Sequence, residues 1–60
     1  MNEYELMKLK DCVFTIEDNL NAIKRELLIG SPFKGYILEK IQPILNDANV
    51  IMNICKKEND

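Results

Sequence analysis

Apolar residues recur every three or four positions along two stretches of the chain, one on each side of Gly30-Ser31-Pro32. In the first stretch the pattern runs through Leu6, Leu9, Val13, Ile16, Leu20, Ile23 and Leu27, and in the second through Ile37, Ile41, Ile44, Ala48, Ile51 and Cys55. This spacing gives each helix an apolar stripe that packs against a partner helix. The sequence therefore predicts two helices whose stripes, here called the predicted seams, face each other.

The ends of both helices carry recognisable signals. Asn2 is a favourable N-cap and Glu5 completes a capping box with it. Gly30 can adopt the left-handed conformation that ends a helix, Ser31 can cap the next helix, and Pro32 suits its first position. We predict one domain spanning the whole chain, with a first helix over about 3–29, a turn at 30–32 and a second helix over about 33–57. So short a turn makes the helices antiparallel neighbours.

Pro43 lies inside the second helical pattern, where it removes one backbone hydrogen bond and its ring crowds the preceding turn. The seam keeps its phase from Ile41 to Ile44, which favours a single helix kinked at Pro43. The alternative is a break into helices over 32–42 and 43–57, with Pro43 as the first residue of a third helix. Gln42 is a poor N-cap, which counts against this break.

The chain has more apolar side chains than one hairpin can cover, and soluble monomers rarely expose large apolar patches. We expect these extra residues to form an interface with another chain: Tyr4, Met7, Phe14, Leu38, Leu45, Val50, Met52 and Ile54. The simplest partner is a second copy, which makes an all-α four-helix bundle from two antiparallel hairpins. A heterologous protein that accepts part of this surface in a groove is the alternative.

Composition narrows the possible chemistry. The chain of 60 residues has no histidine and two cysteines, which cannot supply four soft metal ligands. Cys12 and Cys55 could form a disulfide, but the acidic start of the chain contains no pattern typical of a secretion signal. We therefore expect free thiols in the cytoplasm. No cofactor site, metal site or membrane span is predicted.

Function is expected to reside in binding. No histidine is present to act as a base, and the two glycines fit no phosphate-binding loop. We predict a non-enzymatic regulator, inhibitor or accessory protein that acts through protein–protein contacts as a homodimer. In architecture and length alone the chain resembles the plasmid-encoded RNA-binding hairpin dimers of the ROP type, so nucleic-acid binding is the alternative. A net charge of −2, with acidic residues interrupting each basic cluster, does not favour it.

Overall fold

Two long helices make up the described part of the chain. The structure, a computed structural model, describes residues 1–30 and 33–58, with side chains described through residue 57. Helix α1 spans Glu3–Ile29 and helix α2 spans Lys34–Glu58, and the two pack against each other. A helix of 27 residues is about 40 Å long. Because the longest dimension of the protein is 45 Å, the helices lie side by side along their whole length. The predicted helical hairpin is confirmed.

The start of α1 has the capping box that the sequence indicates. The backbone N–H of Glu5 donates to Oδ1 of Asn2 over 2.7 Å, and the backbone N–H of Asn2 donates to Oε1 of Glu5 over 3.2 Å. Two backbone donors that have no partner within the helix are thereby satisfied. Glu3 and Glu5 also place negative charge at the positive end of the helix dipole.

The end of α1 is formed by Gly30, whose φ of 92° lies in the left-handed region. Its N–H donates to the carbonyl of Leu27 over 3.2 Å. The predicted roles of Ser31 and Pro32 lie outside the described residues. The chain is described again at Phe33, whose backbone N–H donates to Oε1 of Glu26 over 3.2 Å. A side chain near the end of α1 therefore satisfies a backbone donor at the start of α2.

Helix α2 continues through Pro43 as a single helix. The alternative break, with a third helix beginning at Pro43, is not observed. The backbone is helical on both sides of Pro43, so the loss of one hydrogen bond there does not end the helix. The bend at Pro43 stays a prediction.

The face of α1 that meets α2 differs from the predicted seam. Within the described residues, only Cys12 and Ala22 are buried, with 4% and 8% of their surface exposed. Leu9, Ile16 and Ile23 of the predicted seam are half-buried. The alternate seam residues of α1 are exposed: Leu6, Val13, Leu20 and Leu27. Half-buried polar residues occupy the other side of the contact face: Glu5, Asn19 and Glu26.

The physical reason for this shift is residue size. Side chains as small as cysteine and alanine leave room for a neighbouring helix, and they are the two buried residues of α1. The polar residue nearest the middle of the contact face is satisfied within its own helix, because Nδ2 of Asn19 donates to the carbonyl of Thr15 over 2.8 Å. A seam placed at the centre of the apolar stripe was therefore wrong by a fraction of a helical turn.

Candidate protein-binding surface

One side of the hairpin carries an apolar surface to which both helices contribute. We call this surface the open face and define it by seven residues: Leu6, Val13, Leu20, Leu27, Leu38, Leu45 and Met52. Each of them has between 43% and 67% of its surface exposed. Within each helix the residues of the open face are seven apart, so they form two straight ridges along the hairpin.

The position of the α1 ridge follows from helical geometry. A step of four residues rotates a side chain by about 40° around the helix axis. Cys12 is buried, Ile16 is half-buried and Leu20 is exposed. Each step of four residues along α1 therefore rotates the side chain in the same direction, from the contact with α2 toward the open face.

The α2 ridge is reached in the same way. Ile44 and Ala48 are half-buried and Met52 is exposed. Because α2 runs antiparallel to α1, the same rotational sense carries both helices toward the same side of the hairpin. The two ridges therefore share one side, separated by a strip of half-buried apolar residues.

A second apolar row lies on α1 alone and is well exposed. We call it the back row, and it consists of Met7, Phe14 and Leu28, with the exposed polar Asn21 at the same register between Phe14 and Leu28. Exposed charged residues separate it from the open face: Lys10, Glu17 and Lys24. The two apolar surfaces are therefore distinct, and they can be altered independently.

The structure divides the predicted interface residues among these surfaces. Leu38, Leu45 and Met52 lie on the open face, and Met7 and Phe14 lie on the back row. Tyr4 is exposed near the start of α1, on neither surface. Val50 and Ile54 are half-buried on the part of α2 that turns toward α1. The eight residues therefore do not form one continuous patch.

Sequence reasoning missed the four open-face residues of α1, because it assigned them to the contact between the two helices. The signal that could have found them is the spacing of Cys12, Asn19 and Ala22. Small or polar residues beside an apolar stripe, at the same three-and-four spacing, indicate where a neighbouring helix comes closest. Sequence reasoning also missed Ile29 and Phe33, which are exposed beside the turn and lie outside the periodic pattern.

The two cysteines lie in different environments, and that of Cys55 differs from the prediction. Cys12 is buried in the contact between the helices, whereas Cys55, assigned to the seam, is exposed. Both thiols are free. The only aromatic–cation contact found among the described residues joins Lys40 to Tyr36, with Nζ 5.3 Å from the ring centre. The two residues are one helical turn apart on α2, and the contact holds these half-buried side chains against each other.

The described residues form neither a pocket nor a metal site. The described residues enclose no pocket, and no group of three or more potential metal-ligating side chains comes together among them. Neither α1 nor α2, as far as the structure describes them, contains a segment long and apolar enough to cross a bilayer. The open face is a flat, ridged surface of the kind that receives another helix.

Comparison with known proteins gives no significant match among protein-family models, curated proteins or solved structures.

Proposed function

We propose that the protein is a small non-enzymatic helical interaction protein that works as a homodimer and acts by binding another protein. The observation that carries the proposal is the distribution of apolar side chains. In the described hairpin only Cys12 and Ala22 are buried, while two separate apolar surfaces face the solvent. Burial of apolar surface is the main driving force for association, and these surfaces supply it.

A regulatory, inhibitory or accessory role fits a chain of this kind. It has no histidine, and most of its charged residues are exposed along both helices. Its free thiols support a reducing compartment, for which the cytoplasm is our proposal. The back row remains available to a heterologous partner when the open face is occupied.

A bend in α2 at Pro43 belongs to the same proposal. Proline has no N–H, so the carbonyl of Glu39 loses its helical partner and the helix can open on that side. Pro43 is half-buried, so such a bend would change how α2 follows α1.

Affinity capture followed by mass spectrometry tests the proposed function. The immobilised full chain is exposed to a lysate of the cells that encode it, with and without nuclease treatment. We expect one protein to be retained in amounts comparable to the bait and to survive the nuclease. If only nucleic acid, or a protein lost after nuclease, is recovered, the proposal is wrong and a nucleic-acid-binding hairpin replaces it.

Two variants locate the binding surface in this experiment. Phe14→Glu places a charge in the back row and should abolish capture while the protein remains a dimer. Asn46→Glu introduces the same side chain at an exposed polar position of α2 and should capture the partner normally. If Phe14→Glu captures as well as the wild type, the back row is not the binding surface.

A further inference from the structure

We infer that the open face is covered by a second copy of this chain, ridge against ridge, and that the back row stays outside this interface. This inference rests on one part of the proposed function, the homodimer, and assigns that dimer to one surface. Capture of a heterologous partner plays no part in its argument or its test.

The exposed area of the hairpin is larger than a monomer of its size should have. A compact monomer of 7.0 kDa is expected to expose about 4,000 Å². The hairpin exposes 4787 Å². The surplus of roughly 800 Å² is about what each partner contributes to a stable interface. The elongated hairpin therefore exposes enough surplus area for one interface of ordinary size.

The shape of the open face restricts what can cover it. Its ridges repeat every seven residues, about 10 Å along the axis, over most of the length of the hairpin. A partner must present ridges with the same repeat and of similar length. The chain itself has them on both helices, and a two-fold axis brings the open face of one copy against that of the other.

The opposite side of the hairpin has a different composition. Exposed Asp11, Asp18 and Arg25 of α1 and exposed Asn46 and Asn53 of α2 lie away from the open face. The hairpin thus has an apolar open face and a mainly polar opposite face, where Tyr4 is the exposed apolar exception, and the back row lies on neither. This is the distribution expected for half of a four-helix bundle, in which each hairpin turns one side inward.

Sedimentation equilibrium of the full chain provides the test. The wild type should sediment as a dimer at micromolar concentration. Leu20→Glu, in the middle of the α1 ridge, should raise the dimer dissociation constant by at least a hundredfold. Phe14→Glu is the matched control, since it adds the same charge to α1 at another exposed apolar residue, and it should leave the dissociation constant within about threefold of the wild type.

Two results would overturn the inference. One is a wild-type chain that stays a folded monomer at tens of micromolar, since the open face then has no second copy on it. The other is a dimer that tolerates Leu20→Glu and is dissociated by Phe14→Glu, since the back row is then the interface. Neither result bears on whether a heterologous protein is captured.

Because Leu20→Glu can also unfold the chain, a second measurement uses the unaltered protein. In a mixture of isotope-labelled and unlabelled wild type, isotope-filtered nuclear Overhauser spectra detect contacts only between copies. We expect such contacts from the methyl groups of Val13, Leu20 and Leu45. Intermolecular contacts confined to Met7, Phe14 and Leu28 would contradict the inference.

Discussion

Oε1 of Glu26 accepts a hydrogen bond from the backbone N–H of Phe33, which joins the end of α1 to the start of α2 across the turn. The carbonyl of Phe33 in turn accepts a hydrogen bond from the backbone N–H of Ile37 over 3.2 Å, at the start of α2. Glu26 therefore acts as a cap supplied by the other helix. It also restrains the angle at which α2 leaves the turn.

Replacing Glu26 by alanine should lower the free energy of unfolding by about 1 kcal/mol, as loss of a helix cap commonly does. Glu26→Gln keeps an oxygen acceptor at the same distance and should lose less. Urea unfolding followed by circular dichroism at one fixed protein concentration measures both. Equal stability of Glu26→Ala and the wild type would mean that the hydrogen bond contributes nothing.

The capping box of α1 gives a second prediction. Asn2→Ala removes the acceptor for the N–H of Glu5 and should destabilise the protein by about 1 kcal/mol. The control, Asn53→Ala, makes the same replacement at an exposed position inside α2, where alanine favours the helix. It should leave the protein equally stable or slightly more stable. Thermal unfolding of both variants distinguishes a cap from a general effect of removing asparagine.

Ala22 should not tolerate a larger side chain. It is buried where α1 meets α2, so Ala22→Leu must separate the helices and should cost about 1–3 kcal/mol. Asn21→Leu adds the same side chain at the neighbouring exposed position and should change stability by less than about 0.5 kcal/mol. Chemical unfolding at matched concentrations measures the difference, and equal effects would mean that Ala22 is not at a close contact.

The two glycines should respond to alanine with opposite signs. Gly30 has open space where a Cβ would lie but a φ of 92°, so Gly30→Ala should cost about 1 kcal/mol through backbone strain alone. Gly35 lies in the first turn of α2, where alanine lowers the entropy lost on folding. Its added Cβ would lie 3.3 Å from the ring of Phe33, which is exposed and can move aside. We therefore expect Gly35→Ala to be neutral or stabilising by up to about 1 kcal/mol in thermal unfolding.

The charges beside the open face predict how the two copies are arranged. If α1 lay beside α1 of the second copy, the antiparallel pair would bring the two Glu17 side chains together and Lys10 near Lys24. Placing α1 beside α2 of the second copy sets Glu17 near Asn49 and Lys24 near Gln42, both uncharged, and leaves Lys10 near Lys56 as the like-charge pair. Since like charges side by side are unfavourable, we expect the second arrangement, with both turns at the same end.

A spin label near the turn tests this arrangement. With Cys55→Ser and a label on Lys34→Cys, the two labels should be separated by a distance set by the 16 Å and 13 Å widths of each hairpin. The buried Cys12 should not react. A distance approaching the 45 Å length of the hairpin would place the turns at opposite ends.

The sequence predicted the local structure well, because its signals are local. The capping box at Asn2, the left-handed Gly30 and the 3,4 periodicity each depend on residues within one or two helical turns. The packing face was harder to predict, because it depends on which edge of a broad apolar stripe the neighbouring helix meets. Leu20 and Ile16 are both large and apolar in the sequence, and only the packing of α2 on the side of Cys12 distinguishes their environments. The surface was therefore predicted to exist, while the residues that form its α1 ridge were assigned to the interior.

The small size of the buried core has a consequence for the amount of protein that a cell must hold. A cysteine and an alanine bury little apolar surface, so in the proposed dimer most of the stabilising burial comes from association. Folding is then coupled to concentration by mass action, and the unfolding midpoint rises as the protein becomes more abundant. At low copy number the chain would spend more time unfolded and open to proteolysis. The protein would therefore be degraded below a threshold concentration and would accumulate above it.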